Sequence, residues 1–309
     1  YTELIMGMPG ETLESWKAGL EILATDTKVG SIYIYNCGVF PNAPMNETAY
    51  KGFHKIKTIR SPIYLAHSSK NERGMPEYED IVVSTSSFST STLEKIYHFS
   101  WLIQTFHSLG IFEYISRYYF KKFGLKYMEF YETFLEFCSQ DNSIFSDEYK
   151  KVVDYVSKGY SGKGWNHYDS KLGEIFWPIE EATWLRLISN KELLVVDTTK
   201  FLDFLEQKFK FSTNEKEIND LVKFQIFLLT TNEGQKQIKS EQFSFDWKEY
   251  FVNDSELIEI DKNYFYKNLI IEDDTILWGY RTIWYGRQSK NYKFHPEKLE
   301  ENEIILVEK

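Results

Sequence analysis

The sequence predicts an α/β chain: a βαβ opening, a mostly α-helical middle and a small β-sheet at the C-terminal end. Three observations carry this. Glu3-Leu4-Ile5-Met6 is a short apolar run stopped by Gly7-Met8-Pro9-Gly10, a strand with its turn. From Glu11-Thr12 the apolar period lengthens, and Leu13, Trp16, Leu20 and Leu23 form one helical stripe. Ser31 to Cys37 then returns to β-forming residues, and strand, turn, helix, strand with short links makes a parallel βαβ unit. A parallel pair cannot stand alone, because its faces and edges need further strands and helices. The partners are expected before Tyr1, and the chain, which lacks an initiator Met, reads as a fragment.

The later elements follow from the same signals. Gly38 to Pro44 opens a loop-rich stretch to about residue 89, with candidate strands at Ile63–Ala66 and Ile81–Ser84. Ser91-x-x-Glu94 reads as a capping box opening a long helical region through Leu93, Ile96, Ile103, Phe106 and Ile111. Helices are expected near 126–138, 147–157, 199–210 and 215–230. The glycine-rich run Gly159 to Gly164 between them is a candidate boundary. Pro178 is expected in a first helical turn, with Glu180 and Glu181 facing the positive end of the helix dipole. Beyond Phe243 strands return, with Ile276, Trp278, Tyr280, Thr282 and Trp284 alternating along one face. The domains expected are 1–60, 61–165 and 166–309.

Composition narrows the function classes. The 309 residues are 42% hydrophobic and 17% aromatic, enough for a sizeable core. The formal charge of −10 argues against nucleic acid as a partner, since phosphate contacts need a basic surface. Lys121, Lys122 and Lys126 make one dense basic patch, read as a solvated helix end. No apolar run is long enough for a membrane helix, so a cytoplasmic protein without a membrane partner is expected. Cys37 and Cys138 are too few for a disulfide framework or a thiolate cluster site.

The segment Glu3-Leu4-Ile5-Met6-Gly7-Met8-Pro9-Gly10-Glu11-Thr12 resembles the fifth strand and turn of radical S-adenosylmethionine barrels. These carry a D/E-x-I-x-G-x-P-G-E-T pattern at that point. Tyr33 to Met45, with Pro41-Asn42-Ala43-Pro44-Met45, is similar to the sixth strand and its loop in the cobalamin-binding subgroup. Residues Glu79 to Thr85 and Trp177 to Leu185 look like that subgroup's C-terminal region. The resemblance implies the C-terminal remnant of a partial (β/α)6 TIM-like barrel over residues 1–60. Its cofactors would be S-adenosylmethionine, a [4Fe–4S] cluster and cobalamin. The reaction implied is methyl transfer, cyclisation or rearrangement of a small organic substrate. A transfer-RNA methylthiotransferase is disfavoured by an acidic tail that includes Glu297, Glu300, Glu301 and Glu303.

Glu3, Gly7, Pro9, Gly10, Tyr35, Asn36 and Cys37 are the implied cofactor-binding residues, at the C-terminal strand ends where barrel active sites lie. Pro41 and Asn42 are the implied substrate-cavity loop, or else a rigid exit from the barrel. The hallmark Cys-x3-Cys-x2-Cys is absent, so the missing N-terminal part of the protein is the expected partner. The chain alone is expected to be inactive, with no catalytic and no metal-ligating residue of its own. The six histidines show no ligand spacing; His98 and His107, nine apart on a helix, fall on opposite faces. Phe112 to Phe137 reads as core or as a docking surface. The rival reading is a non-enzymatic helical interaction subunit that folds by itself.

Overall fold

The computed structural model describes residues 1–26, 31–70, 74–75, 77–140, 142–229, 238–267, 283 and 295–302. It is helix-rich. In chain order the elements are β1 (Thr2–Met6), α1 (Leu13–Thr25), β2 (Ile32–Asn36), α2 (Thr48–His54), β3 (Lys57–Pro62), β4 (Tyr78–Ser84) and α3 (Thr90–Leu102). After a π-helical segment, Ile103–Ser108, come α4 (Glu113–Phe123), α5 (Tyr127–Gln140) and α6 (Ile144–Lys158). A π turn at Gly159–Lys163 leads to β5 (His167–Tyr168), β6 (Phe176–Trp177), α7 (Ile179–Ile188), α8 (Lys191–Phe209) and α9 (Glu215–Leu228). β7 (Ile238–Phe245), α10 (Trp247–Val252), β8 (Glu259–Lys267) and β9 (Glu300–Asn302) close the described chain. They fall into two compact units, Tyr1–Ser108 with Lys126–Trp184, and Leu109–Leu125 with Leu185–Lys309.

The first unit opens on the expected βαβ. β1 and β2 are parallel, Thr2 opposite Ile32 and Met6 opposite Asn36. α1 is capped by Thr12, which exchanges capping bonds with Ser15, and the helix buries Trp16, Leu20 and Ala24. Trp16 Nε1 donates to Ser100 Oγ at 3.1 Å, pinning α1 to α3. Glu21 of α1 accepts from the backbone N–H groups of Tyr127 and Met128 and so caps α5 from outside its own sequence. The free edge of β2 is covered by a helix rather than a strand: Gln104 Oε1 takes the Ile34 N–H and Ser108 Oγ the Ile32 N–H, both at 3.0 Å. This satisfies an edge that would otherwise template pairing. After β2 the chain bonds to the antiparallel β3–β4 pair through a bridge between Gly38 and Ile81. No closed barrel is present among the described residues; β1–β2 remains a two-stranded sheet.

The second unit is held by buried carboxylates. Asp220 of α9 accepts from the backbone N–H groups of Ser244 and Phe245 and from Trp247 Nε1. One side chain thus joins α9, β7 and α10. β7, β8 and β9 form an antiparallel sheet.

Several boundaries move from the sequence reading. α3 begins two residues early, with Ser89 rather than Ser91 as its cap, because the Ser89 hydroxyl reaches the Thr92 N–H. The candidate strand at Ile63–Ala66 is not one; β3 lies before it at Lys57–Pro62, where it pairs with β4. α6 starts at Ile144 behind the Ser143 cap, and α8 at Lys191 behind the Asn190 cap. The run Gly159 to Gly164 is a π turn, Gly159–Lys163, with its cap, and both flanks lie in the first unit. Lys121 and Lys122 are not a solvated helix end: Lys122 pairs with Glu217 at 2.6 Å, and Lys121 with Asp254 and two backbone carbonyls. The alternating run at 276–284 lies outside the described residues apart from Ile283.

Candidate functional site

The C-terminal ends of β1 and β2 lie side by side, since the backbone N–H of Cys37 donates to the Met6 carbonyl. Just beyond them the chain turns at Gly7 and Gly10, whose φ angles of 91° and 94° favour glycine. Gly7 packs against Cys37, Phe88 and Leu93; a Cβ at Gly10 would meet nothing within 4 Å. The Gly10 N–H donates to Ser87 Oγ at 3.1 Å, which ties the turn to the segment before α3. Pro9 between the two glycines is half-buried, and Glu3 is an exposed residue opposite Tyr33.

Asn36 is held from behind. The hydroxyl of Tyr160 donates to Asn36 Oδ1 at 2.9 Å. Burial raises the Tyr160 hydroxyl well above the usual tyrosine range, so it stays a protonated donor. With Oδ1 engaged, the Nδ2 hydrogens of Asn36 are the part of the amide left to offer a ligand. Tyr35 is 50% exposed, and Met8 beside the turn 38%. Cys37 is buried, its Sγ 3.5 Å from Met8 Sδ and 3.8 Å from Met45 Sδ. Burial pushes its thiol pKa up, which keeps it a packed thiol rather than a thiolate. Pro41 and Asn42 are exposed, and the Pro41 carbonyl accepts from Asn46 Nδ2, closing that loop on itself.

The structure therefore gathers Gly7, Pro9, Gly10, Tyr35, Asn36 and Cys37 at one end of one sheet. Glu3 lies further back along β1, and Pro41 and Asn42 follow in the exit loop. Ser87, Phe88 and Tyr160 join the site from far along the chain, and nothing local in the sequence marks them as partners of Asn36 or Gly10.

Two further features concern the histidines. His67 Nε2 lies 2.6 Å from Glu181 Oε2, and both side chains are 3% exposed. Glu181 lies in the first turn of α7, as expected, but is buried there, and His67, 114 positions away, is its partner. His98 and His107 contact different tyrosines, Tyr149 and Tyr131. Among the described residues no group of three or more His, Cys, Asp or Glu side chains could hold a metal ion. No described helix is long and apolar enough to cross a membrane.

No protein-family model matches the chain. Two curated proteins are similar to it. The 2-(S-pantetheinyl)-carbapenam-3-carboxylate methyltransferase of Streptantibioticus cattleyicolor is 23% identical over 274 residues, 82% of this chain and 39% of that protein. The cobalamin-dependent radical SAM methyltransferase TokK of Streptomyces tokunonensis is 21% identical over 270 residues, again 82% of this chain and 39% of the relative. The chain thus spans about two fifths of each relative's length, and its distant homologues are methyltransferases, TokK among them a cobalamin-dependent radical SAM enzyme.

Proposed function

We propose that this chain is the C-terminal part of a cobalamin-dependent radical S-adenosylmethionine methyltransferase acting on a small organic substrate. One observation carries the reading. Similarity to two methyltransferases runs over 82% of the chain, and the strand-end residues of the barrel resemblance converge at one end of its parallel sheet. In this reading β1 and β2 are the last two strands of a partial barrel. The helix-covered edge of β2 suits a final strand, and β1 carries no second neighbour among the described residues.

Gly10 and Gly7 would let backbone approach S-adenosylmethionine, and Asn36, oriented by Tyr160, would present its amide hydrogens to an acceptor on the adenine edge. Pro41 and Asn42 would border the substrate. Bound S-adenosylmethionine with a reduced cluster supplies the radical chemistry, and the protein supplies position and electrostatics. The cluster does not fit this chain, because its two cysteines are buried in separate elements, at the end of β2 and in α5. We place the cluster thiolates and the cobalamin site in polypeptide beyond these 309 residues.

The test is the coding sequence upstream of Tyr1, followed by kinetics on the complete enzyme. An in-frame Cys-x3-Cys-x2-Cys supports the reading, and a start codon with no such motif sinks it in favour of an interaction subunit. In the complete enzyme Asn36→Ala should raise the KM for S-adenosylmethionine about tenfold, as the loss of one well-made polar contact does. An unchanged KM would remove Asn36 from the site.

A further inference from the structure

We propose that the first unit carries a binding site for a phosphate monoester, in the open groove between β3 and the segment that leads into α3. The groove has a volume of about 690 Å³, within the range of small-molecule sites. Two lysines, Lys55 and Lys57, line it together with hydroxyl residues drawn from Ser84 to Thr92. Val83 and Phe88 are its apolar lining, and no carboxylate is among the lining residues. The chain as a whole carries a formal net charge of −10.

The lysines of this groove differ from those that ion pairs hold elsewhere. Lys17, Lys122, Lys151 and Lys200 each pair with a carboxylate at 2.6–2.9 Å. Among the described residues neither the Lys55 nor the Lys57 ammonium group has a hydrogen-bond or ion-pair partner. Both occupy irregular backbone. Lys55 caps α2 in the left-handed conformation, φ 51°, a position where glycine is the ordinary choice. Lys57 lies at the register shift between Lys57 and Thr58, opposite Ser84; bulges of this kind re-aim side chains. α3, which begins at the groove, has no acidic residue in its first turn to compete with an anion.

A dianion with three acceptor oxygens matches two ammonium groups and several hydroxyl donors better than a carboxylate does. The remaining volume leaves room for the organic part of the ester. The site does not rest on the methyltransferase reading, although Ser87, which lines the groove, also holds Gly10.

The experiment is a titration of the full chain with inorganic phosphate, glycerol 3-phosphate and glycerol, followed by phosphorus and protein NMR. Saturable binding of glycerol 3-phosphate, at least as tight as inorganic phosphate and absent for glycerol, is expected. Lys57→Gln and Lys55→Gly should each weaken it about tenfold, and Lys150→Gln, at an exposed pair on α6, should not. Lys55→Gly should leave the melting temperature equal or higher, because glycine suits φ 51°; a merely structural lysine would not show affinity lost with stability kept. The proposal is overturned if glycerol 3-phosphate does not bind, if inorganic phosphate binds while the ester does not, or if the lysine variants bind as the parent does. Neither cluster nor cobalamin is needed, so failure here leaves the methyltransferase reading untouched.

Discussion

A Cβ added to Gly159 would lie 2.5 Å from the Trp165 ring, closer than packed atoms come. The tryptophan in turn stacks on Tyr97, at 5.2 Å between centroids, behind the Tyr160 that holds Asn36. Gly159→Ala should therefore lower stability by about 1–3 kcal/mol through overpacking, read as a drop in melting temperature. His98 makes a second residue-scale prediction. Burial pushes its pKa down to about 4 from the ordinary 6.5. The unfolded chain then binds a proton between pH 6.5 and 4 that the folded chain refuses. The stability is fully present above pH 6.5 and is lost as pH falls toward 4, by up to about 3 kcal/mol. Urea midpoints measured across that window should fall more steeply for the parent than for His98→Phe. Parallel curves would show that His98 is not the cause.

At the scale of elements, the helices were legible where their signals are local. The 3.6-residue stripe of α1 and the glycine-proline turn before it need no tertiary information. Caps supplied from a distance were not legible. Glu21 reaches the first N–H groups of α5 from more than 100 positions away, and no pattern near Tyr127 announces it. Glu21→Ala should cost about 1 kcal/mol, the usual worth of a helix cap, in chemical denaturation. An unchanged midpoint would mean that water replaces the carboxylate without loss. The cap of α3 is local by contrast: the Ser89 hydroxyl, rather than that of Ser91, accepts from the Thr92 N–H.

For the whole molecule, the decisive chemical fact is a shortage of thiolates. A [4Fe–4S] cluster is held by a set of cysteines, and two buried ones cannot supply it. The isolated 309-residue chain, incubated anaerobically with S-adenosylmethionine and dithionite, should yield no 5′-deoxyadenosine. Detection of that product above a protein-free control would overturn the proposal that the cluster comes from elsewhere.

The sequence by itself determined the βαβ opening, the strand-end glycines, the helical middle and the barrel resemblance. Each of these is a local pattern of period or turn chemistry. Only the tertiary structure decided that Tyr160 orients Asn36, that Ser87 holds Gly10, that His67 meets Glu181 and that two lysines face a groove of hydroxyls. Those partners are brought together by chain reversals tens of residues long. Their energies lie in burial and hydrogen bonding between segments, and no periodicity along the chain encodes them.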